Sequence, residues 1–244
     1  YDLNKVYFTS KKAYKVRGLF EILNDYKFTV EENTPLEEDV ALDPELLGEI
    51  FENLLASYNE ETSTTARKQT GSFYTPREIV NYMVDSSVKE YLKTNLTFVT
   101  DDKLNLLFSI DSPVNEFNSE ETKDLVKALD KMKILDPACG SGAFPMGILN
   151  RLVKLLEVLD PENLYWKTLR INGAQTKDNA EEMLKEIKQI FDMDKYTANY
   201  SRKLFLIENS IYGLDIQPMA IQITKLRFFI SLVIEQNIDE SKPN

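Results

Sequence analysis

One short segment sets the strongest limit on how this chain of 244 residues can fold. Residues 136–144 are Asp-Pro-Ala-Cys-Gly-Ser-Gly-Ala-Phe, between a strand-like run at 131–135 and an apolar, helix-like run that begins at 143. Gly140 and Gly142 let the backbone turn sharply and approach a ligand without a Cβ in the way. A turn from strand to helix brings backbone N–H groups and the positive helix end beside any bound molecule. The segment therefore predicts a loop that binds a nucleotide-like cofactor.

The acidic residue at the start of this loop limits which kind of cofactor can bind there. Asp136 closes the predicted strand, where its carboxylate can meet a cationic or N–H-bearing part of a ligand. The dinucleotide fingerprint Gly-x-Gly-x-x-Gly is the nearest alternative, but Pro145 stands where its third glycine is required. An acidic residue also repels a pyrophosphate and suits a sulfonium cofactor with an amino-acid tail. These residues favour S-adenosylmethionine over a nicotinamide or flavin dinucleotide.

A second acid follows a second predicted strand, residues 211–215. A carboxylate at this strand end, Asp215, can accept the hydroxyls of a ribose, as the acidic residue of dinucleotide folds does. Ile216 stands beside it, in position to pack on an adenine ring. The two acids are much further apart than the roughly 20 residues of the simple unit. We therefore predict a helical insertion over about 160–208, and two parallel β–α units with the site at their carboxyl ends.

Three segments in order resemble a known family. They are residues 71–76 (Gly-Ser-Phe-Tyr-Thr-Pro), the loop 136–144, and residues 211–216 (Ile-Tyr-Gly-Leu-Asp-Ile). Over roughly 40–240 the chain resembles the amino-terminal, cofactor-binding half of adenine-specific (N6) DNA methyltransferases in fused bacterial type II restriction-modification enzymes. The resemblance implies an α/β fold: a partial Rossmann-like S-adenosylmethionine-dependent methyltransferase fold with parallel strands, preceded by an α-helical region.

The resemblance also implies which residues bind the cofactor. Tyr74 and Thr75 match the family motif that folds over the methionine end of S-adenosylmethionine. Thr75 is explained equally well as the first residue of a capping box, Thr-Pro-Arg-Glu, that opens a helix. The predicted cofactor-binding residues are Tyr74, Thr75, Asp136, Pro137, Ala138, Gly140, Gly142, Phe144, Asp215 and Ile216.

The reaction that the resemblance implies is methyl transfer to the exocyclic amine of an adenine flipped out of the duplex. The family uses an Asn-Pro-Pro-Tyr type motif to accept the hydrogens of that amine. No such motif occurs in the 244 residues. We therefore predict no catalytic residue here, and expect that this chain holds cofactor but does not methylate DNA by itself. Its two ends look like cuts in a larger protein.

Composition limits the partners. Lys and Arg number 29 against 40 Asp and Glu, a net charge of −11, which is the wrong sign for gripping a phosphate backbone. Double-stranded DNA is therefore expected to bind mainly through the full-length parent. One cysteine and no histidine exclude an internal disulfide, a multi-cysteine zinc site and a histidine base, and no metal is expected. Without a signal peptide or a long apolar run, we predict a cytoplasmic protein with no membrane contact.

Hydrophobic periodicity predicts the remaining organisation. Residues 1–70 form a helical region, with one helix opening at 43–45 and a polar loop at 59–70, and residues 71–244 form the methyltransferase portion. Helices are predicted from the 75–78 box onward, over 119–131, from 143, two or three within 162–208, and from 217–218 to about 236. Residues 94–118 show no steady period.

Several alternatives remain. Cys139 could serve as a nucleophile, but no histidine exists to activate it, so we interpret it as a small packing residue. Asp111 with Glu121-Thr122-Lys123 imitates a nuclease set, although Asn118 to Glu121 has the pattern of a capped first helical turn. The whole unit could instead be a degenerate cofactor fold that serves as a scaffold, or a methyltransferase acting on RNA or a small molecule.

Overall fold

Helices surround a pair of parallel strands in the part of the chain that the structure describes. The structure, a computed structural model, describes residues 75–175, 180–192 and 197–235. The elements are, in chain order, α1 (Arg77–Asn95), α2 (Asp101–Leu107), α3 (Ser119–Lys131), β1 (Ile134–Asp136), α4 (Ala143–Leu159), α5 (Leu164–Gln175), α6 (Ala180–Asp192), α7 (Ala198–Asn209), β2 (Ile211–Gly213) and α8 (Pro218–Val233). None of the described helices has the length and apolar character needed to cross a membrane.

The two strands set the position of everything that follows them. β1 and β2 pair in parallel, with Ile134 opposite Ile211 and Asp136 opposite Gly213. Because both strands run in the same direction, the segments that leave their carboxyl ends lie side by side. The predicted parallel β–α units and the α/β fold class are therefore confirmed. The strands are shorter than predicted, three residues each, because α3 continues to Lys131 and β2 ends two residues before Asp215.

Helix α4 is the centre of the described core. It follows its N-cap Gly142, which has left-handed backbone geometry, and runs from Ala143 to Leu159, as its apolar spacing predicts. Leu149, Leu152 and Leu156 are completely buried. The helix packs against α1, α3, α7 and α8 and against β2. Burial of this kind fixes the direction in which α4 leaves the loop, since a core helix that is apolar on most sides has few alternative placements.

Three helices, α5, α6 and α7, lie between the two β–α units, over the span for which an insertion is predicted. Its centre is Trp166, whose ring contacts the Phe191 and Phe205 rings edge to face at centroid distances of 6.3 and 6.1 Å. The Trp166 Nε1–H donates to Asp130 of α3 at 2.6 Å. Arg170 lies against the Trp166 ring and forms an ion pair with Asp130 at 2.8 Å. The insertion is thus tied to the core by an aromatic cluster and a half-buried charge pair.

Helix α3 begins with the capping box that its sequence predicted. The Asn118 side chain accepts from the N–H groups of Glu120 and Glu121, and the Glu121 carboxylate accepts the Asn118 N–H at 3.0 Å. Lys123 pairs with Glu120 at 2.8 Å. These contacts account for Glu121 and Lys123 as parts of a helix start, so the nuclease interpretation finds no support. Among the described residues no group of acids, cysteines or histidines is arranged to hold a metal ion.

Two local predictions differ from the structure. The capping box at Thr75 does not form: α1 begins at Arg77, its N-cap is Pro76, and no side chain caps it. With Pro76 at the N-cap, Glu78 is the second helical residue, one position too early to reach back to the cap. The segment 94–118, for which no period was found, contains α2, whose N-cap Thr100 accepts from the Lys103 N–H. The predictions for residues 1–70 lie outside the described residues.

Candidate functional site

The loop after β1 is bonded directly to the loop after β2. Beyond the strands, the Leu214 N–H donates to the Asp136 carbonyl and the Cys139 N–H donates to the Leu214 carbonyl, both at 2.9 Å. One step further, the Gly140 N–H donates to Asp215 Oδ2 at 2.9 Å. The two predicted acids, far apart in sequence, therefore lie at one end of the strand pair. Residues 136–142 are called the β1–α4 loop from here on.

Asp136 has one satisfied and one unsatisfied carboxylate oxygen. Its Oδ1 accepts the Ala138 N–H at 3.1 Å, which holds the first turn of the β1–α4 loop. Its Oδ2 is buried and has no hydrogen-bond partner among the described residues. A buried carboxylate oxygen without a donor is costly, so a ligand that brings an N–H or a cation there gains binding free energy. Pro137 and Ala138, which follow it, are exposed.

Asp215 has a structural role that the sequence did not indicate. In addition to the Gly140 N–H on Oδ2, its Oδ1 accepts the Gln217 N–H at 2.7 Å. The carboxylate therefore joins the β1–α4 loop to the first turn before α8. Each carboxylate oxygen carries a second lone pair, so Asp215 keeps acceptor capacity for a hydroxyl. Its neighbour Ile216 is 89% exposed, a large apolar side chain held at the edge of the site.

Both predicted glycines adopt the backbone geometry for which glycine is suited. Gly140 has φ of 54° and Gly142 has φ of 89°, in the left-handed region. A Cβ on Gly142 would also lie 2.8 Å from the Thr224 side chain. No side chain caps α4 after this turn. α4 therefore has 17 residues and no side-chain cap at its start, and its positive end lies beside the loop.

Two residues of α8 contact this loop, and the sequence did not single them out. The single hydroxyl hydrogen of Thr224 has two acceptors in reach, the Gly140 carbonyl at 3.0 Å and the Ala220 carbonyl of its own helix at 3.2 Å. Arg227 Nη1 donates to the Ser141 carbonyl at 2.8 Å. Both lie on the buried face of a helix that was predicted simply as apolar. The available signal was that polar residues at 224, 227 and 231 share the face of Ala220 and Ile223. Polar side chains on a core face need partners, and here the partners are loop carbonyls.

Cys139 is buried inside the loop. Burial raises the pKa of its thiol above the ordinary value, and the nearby Asp136 and Asp215 carboxylates raise the pKa further. A Cβ on Gly213 would lie 3.0 Å from the Cys139 sulfur, so the thiol packs on the end of β2. A thiol held in its neutral form inside the protein is a poor nucleophile. The structure therefore agrees with the interpretation of Cys139 as a packing residue.

A cavity of about 280 Å³ lies beside Asp136, along the strand pair. Its walls come from α1, from both strands and from the first turn of α4. The lining residues are Met83, Val84, Ser87, Ile134, Leu135, Asp136, Pro137, Phe144, Pro145, Ile148, Ile211 and Tyr212. Three of the predicted site residues line it: Asp136, Pro137 and Phe144. Gly140, Asp215 and Ile216 are not among the residues that line it.

The structure brings together the predicted residues from the loop and from β2. Thr75 is half-buried just before α1, and Tyr74 lies outside the described residues. α1 itself reaches the site through Met83, Val84 and Ser87, which the sequence did not single out. The sequence feature that could have indicated them is the apolar face of α1, on which Val80, Val84 and Val88 are buried.

The chain is similar to known proteins over two different spans. The N-6 DNA Methylase family matches residues 42–101, which include all of α1 and end before the β1–α4 loop. Over 97% of its length the chain is 29% identical to a protein of Methanocaldococcus jannaschii named "Putative type II restriction enzyme and methyltransferase". It spans 18% of the length of that relative. No solved structure matches the chain. The two similarities confirm the predicted resemblance to N6 adenine DNA methyltransferases.

Proposed function

We propose that this chain is the S-adenosylmethionine-binding part of a site-specific DNA methyltransferase that modifies the exocyclic amine of adenine, in a restriction-modification system. The observation that carries the proposal is the bond between the Gly140 N–H and Asp215. It unites, in one site, a glycine-rich strand-to-helix loop and the acid after the neighbouring parallel strand. The resemblance of the chain to N6 adenine DNA methyltransferases supports the same function.

The residues fit this cofactor at its amino-acid end. S-adenosylmethionine carries an ammonium group, and Asp136 Oδ2 is a buried acceptor with no donor among the described residues. An ammonium there would satisfy the carboxylate and add a charge-assisted hydrogen bond. The uncapped start of α4 favours negative charge, which suits the carboxylate of the same amino-acid tail. Phe144 and Pro137, which line the cavity, would form an apolar wall beside it.

The residues also fit the nucleoside end. Asp215 keeps lone pairs for ribose hydroxyls while it holds Gly140, and Ile216 offers an exposed apolar surface for the adenine ring. Gly140 and Gly142 allow the backbone to approach without a Cβ. Pro137, Ala138 and Thr75 are proposed as contacts because they belong to the motifs that predicted the site. Tyr74 is proposed from the resemblance alone.

The cofactor supplies an activated methyl group on a sulfonium, and this chain would bind and orient it. A motif of the Asn-Pro-Pro-Tyr type is needed to accept the hydrogens of the target amine. The 244 residues do not contain this motif. Duplex DNA is proposed to bind through the larger protein, because a net charge of −11 opposes contact with a phosphate backbone. We expect no methyl transfer to duplex DNA by this chain alone.

Isothermal titration calorimetry with S-adenosylmethionine tests the proposal. We expect one binding site in the wild type, and at least about tenfold weaker binding in Asp136→Asn, since a hydrogen bond to a charged group is lost. Asp111→Asn, which removes an exposed acid outside the site, is the matched control and should bind as the wild type does. NAD⁺ is titrated in parallel. A folded wild type that binds no S-adenosylmethionine, or binds NAD⁺ instead, overturns the proposal and leaves the degenerate-scaffold or dinucleotide alternative.

A further inference from the structure

We propose that Thr224 and Arg227 of α8 are positioning residues, which fix the β1–α4 loop in the conformation that receives the cofactor. The inference rests on the proposed function for the identity of the ligand. It goes beyond that function because neither side chain belongs to the motifs that predicted the site. Both contact backbone carbonyls of the loop from α8.

The contacts fall on consecutive peptide groups of the loop. Gly140 is held at both its N–H, by Asp215, and its carbonyl, by Thr224. The next carbonyl, that of Ser141, accepts from Arg227. Because a peptide group is planar and trans, a bond that fixes the carbonyl of one residue also fixes the N–H of the next. Thr224 therefore sets the direction of the Ser141 N–H, and Arg227 sets that of the Gly142 N–H.

The orientation of the Gly142 N–H decides where α4 begins. This N–H donates to the Cys139 carbonyl at 2.8 Å, which closes the last turn of the loop, and the Gly142 carbonyl accepts from Met146 in the first turn of α4. The Thr224 side chain also occupies the space beside Gly142, where a Cβ would lie 2.8 Å away. Through these contacts α8 sets both the shape of the loop and the start of the helix whose positive end faces the ligand.

Burial makes these contacts hard to replace. Arg227 is 2% exposed, and Ser141 and Thr224 are buried with it. Water cannot readily take the place of a lost donor there, so the carbonyl would be left unsatisfied or the loop would move to reach solvent. The guanidinium of arginine is also planar and donates hydrogen bonds in fixed directions, whereas the ammonium of lysine can donate in many directions. The arrangement favours one loop conformation before any ligand arrives.

The matched control is Arg202 of α7, which is equally buried and also donates to backbone carbonyls, those of Asp160 and Pro161, both at 2.7 Å. Arg227→Met and Arg202→Met each remove a buried guanidinium from a backbone segment. Thr224→Val removes the hydroxyl at constant shape, and Thr224→Ser keeps the hydroxyl and removes the methyl group.

The experiment combines two measurements on folded protein: hydrogen exchange of residues 138–146 without ligand, and calorimetry with S-adenosylmethionine. We expect faster exchange in this segment and about tenfold weaker binding in Arg227→Met, and about fivefold weaker binding in Thr224→Val, from the loss of one hydrogen bond each. Thr224→Ser should restore binding to within about twofold of the wild type, since its hydroxyl still reaches the carbonyl. Arg202→Met should lower stability and leave both measurements of the site unchanged.

The two proposals fail in different ways. Wild-type protein that binds no S-adenosylmethionine overturns the proposed function, and faster loop exchange in Arg227→Met would still support the positioning role. If the wild type binds S-adenosylmethionine, and Arg227→Met and Arg202→Met have equal affinity and equal loop exchange, the positioning role alone is overturned. If Arg227→Met does not fold, the pair Thr224→Val and Thr224→Ser decides: equal affinity in the two rejects it.

Discussion

In two regions of this molecule, a completely buried arginine donates hydrogen bonds to the backbone carbonyls of a turn, with different consequences. Arg227 of α8 donates to a carbonyl of the β1–α4 loop, and Arg202 of α7 donates to carbonyls of the turn after α4. Each fixes a turn at one end of the central helix α4. The surroundings differ: the turn at Asp160 is closed over by Asn163 and Trp166, both buried. In the β1–α4 loop Pro137 and Ala138 are exposed, and so is Ile216 in the segment after β2.

The comparison teaches that a buried cation marks an ordered turn and does not by itself mark a functional site. At Asp160, Oδ2 accepts the Trp166 N–H and the turn carbonyls accept from Arg202, while the buried Asn163 Oδ1 of the same turn has no hydrogen-bond partner among the described residues. At Asp136 one buried carboxylate oxygen has no donor among the described residues. Both turns contain an unsatisfied buried acceptor, but at Asp136 it belongs to a carboxylate beside exposed residues, and this combination, rather than the arginine, distinguishes the candidate site.

Trp166→Ala should give the largest loss of stability. Trp166 is 0% exposed, and the change removes its ring contacts and its bond to Asp130. We expect a loss of roughly 3–5 kcal/mol, the usual range for a buried aromatic truncated to alanine. Urea unfolding followed by circular dichroism measures it. Affinity for S-adenosylmethionine in the fraction that remains folded should not change, and a large change would mean that the insertion and the loop are coupled.

Gly142→Ala should cost less stability but abolish much of the ligand binding. A left-handed backbone at a non-glycine residue costs about 1–3 kcal/mol, and the new Cβ would collide with Thr224. Gly173→Ala is the matched control, because a Cβ at this exposed position of α5 meets nothing within 4 Å. That change should stabilise the protein by about 0.5–1 kcal/mol and leave binding intact. Retained affinity in Gly142→Ala would show that the loop tolerates another shape.

Asn118→Ala tests a helix start remote from both turns. It removes the side chain that accepts two N–H groups at the start of α3, and should cost about 1 kcal/mol. Thermal unfolding measures the change. Loop exchange and cofactor affinity should remain those of the wild type.

The same helix start gives a pH dependence. The hydrogen bond from the Asn118 N–H, and then Lys103, hold the pKa of Glu121 below its ordinary value in the folded protein. The ionised carboxylate therefore adds stability above the ordinary glutamate pKa, and this stability is lost as the pH falls through the lowered value. The difference in Tm between wild type and Glu121→Gln should be largest near neutral pH and shrink below about pH 4. A difference that stays constant would contradict the assignment.

Cys139 gives the smallest and most local test. Because burial and two carboxylates raise the pKa of its thiol, alkylation by iodoacetamide at pH 7.5 should be much slower than in protein unfolded by urea. Mass spectrometry of the time course measures it. Rapid alkylation of the folded protein would show that the β1–α4 loop opens readily.

Local patterns predicted much of the fold. The capping box at Asn118 and the apolar run from Ala143 marked α3 and α4, because capping and burial periodicity act within a few residues of sequence. The capping box at Thr75 was wrong, since the sequence fits two helix starts one residue apart and does not choose between them. α2 was not recognised, because seven residues carry too little periodicity.

The chemistry of the candidate site can be derived from the sequence alone: an acid, two glycines and a helix start in one loop, and a second acid after a second strand. Its composition also set the acidic charge and the absence of histidine. Only the tertiary structure decided that Asp215 bonds to Gly140, and that Thr224 and Arg227 hold the same loop. These contacts join residues more than 70 positions apart. Parallel pairing and helix packing bring such residues together, and no local pattern records which backbone carbonyl a buried side chain will meet.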